Sequence, residues 1–169
     1  ARLERARRQR EAARRRWTGV VGVIVVGLLA TAFAKSSRIP AQPPAEPLAF
    51  ENGTAGFDPH RLADGHLHFF SVALPDPRGG PPRSVRFFAV RVGGEIRTCF
   101  DACEICGDKG YIESGGAVVC RNCTSPIVFS SLGRTGGCNP IPLPHALEGG
   151  RCTVSARDVA AALPRLAGR

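Results

Sequence analysis

Two cysteine pairs, Cys103–Cys106 and Cys120–Cys123, stand 13 residues apart in a C-x2-C-x13-C-x2-C pattern. No other feature constrains the chain as strongly. Each C-x-x-C places two sulfurs on one tight turn, with backbone N–H groups pointing at them. Two such turns facing one another make a four-thiolate site, which suits tetrahedral zinc, a single iron or an iron–sulfur cluster. Gly107, directly after the first pair, suits the sharp bend. Cys138, in "TGGCNPIP", is a fifth candidate: its Gly-Gly and Asn-Pro flanks imply a tight loop, and it is either a ligand or a separate thiol beside the site. Cys99 and Cys152 remain, and in an oxidising compartment these two could pair. Seven cysteines is an odd number, and two C-x-x-C turns make an uneconomical disulfide frame, so a metal is favoured over disulfides alone.

The charge is concentrated at one end. Of a net +9, residues 1–16 hold +6, eight arginines against Glu4 and Glu11. The rest of the chain carries +3 without a basic stripe, which argues against nucleic acid. The basic arm runs into "WTGVVGVIVVGLLATAFA", residues 17–34, which contains no charged residue. As a helix this segment is roughly 27 Å long, close to the hydrocarbon thickness of a bilayer. It is read as a transmembrane helix. The "AFA" at its end resembles a signal-peptide cleavage site, but an uncleaved anchor is the reading adopted. The arginine excess before the span puts the N-terminus in the cytoplasm and the remainder outside, in the periplasm of a bacterial inner membrane. The arm is expected to meet anionic lipid headgroups.

Residues 35–48 are rich in proline and read as an extended spacer. Residues 49–169 then form one extracytoplasmic cysteine-rich domain. "HLHFFSVAL" (66–74), "SVRFFAVRV" (84–92) and "EIRTCF" (95–100) read as strands, the last two joined by a Gly93-Gly94 hairpin turn. Short strands are expected at 117–119 and 127–129. Ser155 and Asp158 form a capping box ahead of Val159, Leu163 and Leu166 at helical spacing, and Pro164 limits that helix. The expected architecture is a single N-terminal transmembrane helix plus a small mainly-β (α+β) metal-binding domain, with zinc-ribbon-like cysteine knuckles and a C-terminal helix.

The runs "RFFAV", "IRTCFDACEIC", "KGY", "VVCRNC" and "GGCNPIPL" together resemble the FtrD-like family of bacterial membrane iron–sulfur proteins, over roughly residues 64–163. The resemblance implies an iron–sulfur site on Cys103, Cys106, Cys120, Cys123 and Cys138. It also implies a place beside ferrous-iron uptake systems, which pair a permease with periplasmic iron- and copper-binding proteins. The chain departs from the family in having one apolar span where many relatives have several, in Cys99 where a small apolar residue is expected, and in Thr124 where glycine is usual.

The other polar residues carry less. His66 and His68, two apart on a strand, share a face and could form a metal edge or simply be half-exposed. Tyr111 is expected to pack beneath the knuckle. Asp101 and Glu104, flanking Cys103, read as solvated surface charges. With no nucleophile–base set, phosphate loop or paired catalytic carboxylates, the chain does not read as an enzyme. Two functions compete. One is a membrane-tethered iron–sulfur or iron protein that passes electrons or metal to an integral membrane partner. The other is an accessory subunit of a larger membrane complex, held together by structural zinc. A thiol oxidoreductase is weaker, because neither pair sits in a thioredoxin-like βαβ pattern.

Overall fold

In "RFFAV" the buried residues do not alternate with polar ones: Phe87, Phe88, Ala89 and Val90 are all fully buried. A strand shows this pattern when both faces of its sheet are covered, since neighbouring side chains point to opposite faces. The computed structural model describes residues 17, 20–29, 40–76 and 79–168. The chain divides into two units, Ala1–Ile39 and Pro40–Arg169.

In the second unit, β1 (Glu46–Leu48), β3 (His68–Leu74), β4 (Arg83–Val92) and β5 (Glu95–Phe100) form a four-stranded sheet in the order β1-β3-β4-β5. β1 pairs with β3 in parallel, and the other neighbours are antiparallel. A second sheet joins β2 (Thr54–Phe57), β10 (Arg151–Ser155) and β9 (Ala146–Glu148) in that order. A third carries the cysteines: β6 (Tyr111–Ser114), β7 (Ala117–Cys120) and β8 (Pro126–Ile127). The β4–β5, β6–β7 and β9–β10 hairpins are each closed by a Gly-Gly pair with both φ angles positive, a turn whose twist matches that of the strands it joins.

The central sheet separates two apolar clusters. On one face Phe70, Phe87 and Phe100 pack with Phe57, Cys152 and Val154 of the second sheet, and with Val159 and Ala162 of the C-terminal helix. On the other face Phe88, Val90 and Cys99 pack with Tyr111, Val118 and Ile127 of the third sheet, together with Cys103 and Cys120. Burying each of these phenylalanines contributes about 1.5–3 kcal/mol. β4 therefore supplies core to both layers, and the cysteine turns rest on its outer face.

The expected strands at 66–74, 84–92 and 95–100 are found, the first beginning at His68. The strand expected at 127–129 is shorter. Pro126–Ile127 pairs with β7, and Phe129–Ser131 is a 3-10 turn in which Val128 O accepts from both Ser131 N and Ser131 Oγ. Residues 20–29 form helix α1, and Ala156–Ala162 forms α2. Ser155 caps α2, its Oγ accepting from Asp158 N at 3.0 Å. Pro164 lies in the 3-10 turn Leu163–Arg165 that follows.

The expected membrane span is described only in part. Helix α1 has ten described residues, about 15 Å of helix, and its apolar side chains, such as Val23, Val26 and Leu29, are exposed. Among the described residues no helix is long and apolar enough to cross a membrane. The rest of the expected 17–34 span (residues 18, 19 and 30–34), the 1–16 arm and residues 35–39 lie outside the described residues.

Asp101 is not the surface charge its neighbourhood in sequence suggested. Its side chain is fully buried, at 0% exposure. It accepts from Arg86 Nε at 3.0 Å, Gln42 Nε2 at 2.8 Å and Tyr111 N at 2.7 Å. Arg86 also donates to Pro43 O at 2.7 Å. One carboxylate thus joins the proline-rich stretch, β4 and the first strand of the cysteine sheet. Removing one member of such a group leaves buried polar atoms unpaired, so Asp101→Ala is expected to lower the unfolding free energy by about 3 kcal/mol or more. Urea denaturation of the Pro40–Arg169 unit within the full chain measures this, and a loss of only a few tenths would remove Asp101 from this role.

Candidate metal centre

The two C-x-x-C turns have the same local form. In the first, Cys103 N donates to Gly107 O at 3.2 Å, Gly107 N returns to Cys103 O at 2.9 Å, and Cys106 N points at Cys103 Sγ from 3.1 Å. In the second, Thr124 N donates to Cys120 O at 2.9 Å and Cys120 N to Ser125 O at 3.1 Å. The residue after each pair is left-handed: Gly107 at φ 68 and Thr124 at φ 57. Glycine adopts this conformation freely, whereas a β-branched residue does so under strain. Thr124 Oγ1 donates to Cys123 O at 2.7 Å. Gly107 has a second reason to be glycine. A Cβ there would lie 2.7 Å from Ala167 O, because the end of the described chain presses on this turn. Arg165 fastens the same contact through Glu104, at 2.6 Å.

Five sulfurs converge. Those of Cys103, Cys106 and Cys120 all lie within 4.8 Å of one another, and so do those of Cys106, Cys123 and Cys138. Cys106 belongs to both sets. Cys123 Sγ and Cys138 Sγ are 3.3 Å apart. Cys138 is brought in by its flanks. Tyr111 Oη donates to Cys138 O at 2.7 Å, and the segment after it is laced to β5 through Phe100 N to Ile141 O and Leu143 N to Thr98 O. Cys103 and Cys120 are buried, Cys106 and Cys138 half-buried, and Cys123 exposed.

The local electrostatics divide the thiols. Burial opposes ionisation of Cys103, but the Cys106 N–H, the nearby Tyr111 hydroxyl and the Ile105 N–H outweigh it and hold this thiol below its usual range. Cys123 is drawn down to about 6, first by Ser125, whose Oγ lies 3.3 Å from its sulfur. Cys138 is pushed up to about 11, chiefly by Cys123 beside it, and Cys120 to about 12 by burial. Burial and the neighbouring thiols raise the Tyr111 phenol as well, which keeps it a hydrogen-bond donor. An all-sulfur donor set is soft, and soft thiolates select zinc, iron–sulfur clusters, iron or cuprous copper over magnesium or calcium. The residues present therefore fit an iron–sulfur or other thiolate-bound metal group.

The remaining candidates stand apart from this cluster. Cys99 is buried on the face with Phe88, where burial pushes its thiol up to about 12; Cys152 is buried in the opposite cluster with Phe57. The central sheet separates them and both are free thiols, so the disulfide considered between them is not formed. His66 and His68 do not make a shared metal edge. His66 Nδ1 meets Glu113 Oε1 at 2.8 Å, while His68 Nε2 meets Asp64 Oδ2 at 3.0 Å. The bend that starts β3 at His68 removes His66 from the strand and breaks the two-residue alternation. His145 Nδ1 lies 2.8 Å from Thr98 Oγ1, which itself donates to Leu143 O. Tyr111 is buried under the turns as expected. An open groove of about 800 Å³, lined among others by Pro44, Arg61, His68, Phe69 and Glu113, contains no cysteine.

The fold and its sulfurs define a class: a small, mainly-β domain with a cysteine cluster suited to a metal cofactor. The family comparison makes this specific, since residues 62–165 match the model described as "Membrane iron-sulfur containing protein FtrD-like". The chain belongs to this FtrD-like family. No curated protein and no solved structure matches it.

Two predictions follow from the turns and their edge. Thr124→Gly relieves the left-handed strain but loosens the unfolded chain, for an expected net gain of about 0.5–1 kcal/mol in stability. A fall in the melting temperature would mean that the Thr124 hydroxyl bond outweighs the strain. At the edge, the hydrogen bond that His66 donates to Glu113 raises the His66 pKa above its usual 6.5, with the attraction between the two charges as the next cause. The contact is fully present below pH 6.5 and is lost as pH rises through the raised value. An NMR titration should find the His66 ring above 6.5 and returned toward it in Glu113→Gln.

Proposed function

We propose that this chain is a membrane-anchored iron–sulfur or iron protein that passes electrons, or handles iron, beside an integral membrane partner. The observation that carries this reading is the convergence of five cysteine sulfurs in a chain of the membrane iron–sulfur family. Cys103, Cys106, Cys120 and Cys123 are the proposed metal ligands, with Cys138 as a further cofactor-binding residue. The centre supplies a one-electron couple or a thiolate metal store when loaded. The residues around it donate N–H groups to sulfur and exclude water from its inner side, and no side chain is assigned a catalytic step. Helix α1, apolar on all sides, is the core of the proposed anchor. The arginine-rich arm sits on the anionic headgroups of the cytoplasmic leaflet, and the cysteine domain faces the periplasm. The partner docks through the anchor.

A second reading has its own support. Cys103 and Cys120 are members of an apolar cluster, so a metal there adds directly to folding free energy. A structural zinc in an accessory subunit of a larger membrane complex uses this arrangement without any redox step.

Metal content and an absorption spectrum on anaerobically purified full chain decide between the two. Iron with visible charge-transfer absorption supports the redox reading, and Cys103→Ser or Cys120→Ser should then lose both metal and protease resistance. Zinc without colour moves the assignment to the accessory subunit. No metal, with the thiols blocked to alkylation, overturns both.

A further inference from the structure

We propose that the cysteine cluster is a two-position centre, taking two metal ions per chain, with the Cys106 thiolate shared between an inner and an outer position. This rests on the metal-binding reading above and extends it to stoichiometry and exchange. The inner set is Cys103, Cys106 and Cys120; the outer set is Cys106, Cys123 and Cys138.

Bond lengths make the case. Two thiolates on one ion, each with a bond of about 2.3 Å, lie at most about 4.6 Å apart, and about 3.8 Å apart in a tetrahedron. Each set of three, with every sulfur pair within 4.8 Å, is therefore close to the size of a ligand triangle around one ion. Five thiolates exceed the four positions of a tetrahedral ion. One of them is then surplus, or a second ion is present. Cys138 is not placed as a surplus thiol. Its carbonyl is held by Tyr111 Oη, its loop is laced to β5, and its sulfur is 3.3 Å from that of Cys123. A thiolate sulfur has lone pairs for two metals, and Cys106 is the residue positioned to use them. Charge points the same way: five thiolates around one dication leave three negative charges in a half-buried site, whereas two dications leave one.

The two positions differ in surroundings. The inner sulfurs of Cys103 and Cys120 are buried in the Phe88–Tyr111 cluster, and Cys103 receives the Cys106 N–H. The outer position is bounded by exposed Cys123 and half-buried Cys138. Each position has three protein ligands, but the outer one alone has an exposed ligand at its rim, so its ion exchanges more readily. The inner ion holds the fold, and the outer one comes and goes.

The test uses reduced, metal-stripped full chain in detergent under argon, titrated with Co2+ and followed by thiolate-to-cobalt charge-transfer absorption. Saturation is expected at two equivalents. Release to a chelator should occur in two phases whose rates differ by about tenfold or more. Cys138→Ser and Cys123→Ser should each bind one equivalent and lose the fast phase, with circular dichroism unchanged. Saturation of the unmutated chain at one equivalent, lost in Cys123→Ser but unaffected by Cys138→Ser, would overturn the two-position centre and leave a single four-thiolate site standing. Failure to bind any Co2+ would overturn both this inference and the metal reading beneath it.

Discussion

A carboxylate with no exposed surface holds the layers of this domain in register. Asp101 has three donors from three separate parts of the chain and stands two residues before Cys103, the first cysteine of the two pairs. Burying a charge is unfavourable unless it is paired and hydrogen-bonded, so this interaction tolerates little rearrangement. Gln42, Arg86 and the Tyr111 amide must all be in place together. That requirement fixes where β5 ends and where β6 begins, and the first cysteine turn spans the interval between them. Gly110 makes the closeness possible, since a Cβ there would lie 2.5 Å from Gln42 Nε2 and 3.1 Å from Asp101 Oδ1. The position of the sulfurs is thus set by an ion pair and its hydrogen bonds before any metal is considered.

The two turns solve one geometric problem with different residues. Both need a left-handed residue directly after the second cysteine. Gly107 meets this without strain and also admits the backbone of Ala167 and Gly168. Thr124 meets it under strain, on the exposed side of the cluster, where Cys123 and Cys138 also lie. The first turn is clamped from outside by Arg165 on Glu104 and by the chain end. The second turn is held by Arg121, whose N, Nε and Nη1 donate to Gly110 O, Pro40 O and Lys109 O, and by the short strand β8 beside it. The two turns are therefore held by different contacts, and the sides of the cluster differ in exposure, Cys103 being buried and Cys123 exposed.

Much of this was legible in sequence. The spacing of the pairs singled out Cys103, Cys106, Cys120 and Cys123, because a C-x-x-C turn is a local structure that depends little on distant contacts; Cys138 was singled out by its Gly-Gly and Asn-Pro flanks and by the family resemblance. The Phe-rich strands and the Gly93-Gly94 turn were readable for the same reason. The Gly115-Gly116 and Gly149-Gly150 pairs carried the same hairpin signal; read in this way they mark the β6–β7 and β9–β10 turns, and so β10, which was not anticipated. Asp101 was misread because burial of a single carboxylate depends on partners 15 and 59 residues away, and no local pattern reports that. The metal-edge alternative for His66 and His68 failed on a strand boundary, where one residue of difference changes which way a ring points. The Cys99–Cys152 pairing failed because it needed the face assignment of two strands in different sheets.

The asymmetry of the cluster bears on how such a centre would work. Reduction potentials of thiolate-bound iron follow net charge, hydrogen bonds to sulfur and solvent exposure. On the inner side Cys103 receives an N–H bond and is removed from water, which moderates the charge of its thiolate. On the outer side Cys123, its thiol also lowered, to about 6, is the exposed one. In the proposed role, an electron or an ion would meet the Cys123–Cys138 edge first. The inner edge is closed by Phe88, Tyr111 and Val118. The placement of Cys123 and Cys138 at the solvent boundary is the feature on which the proposed traffic through the centre rests.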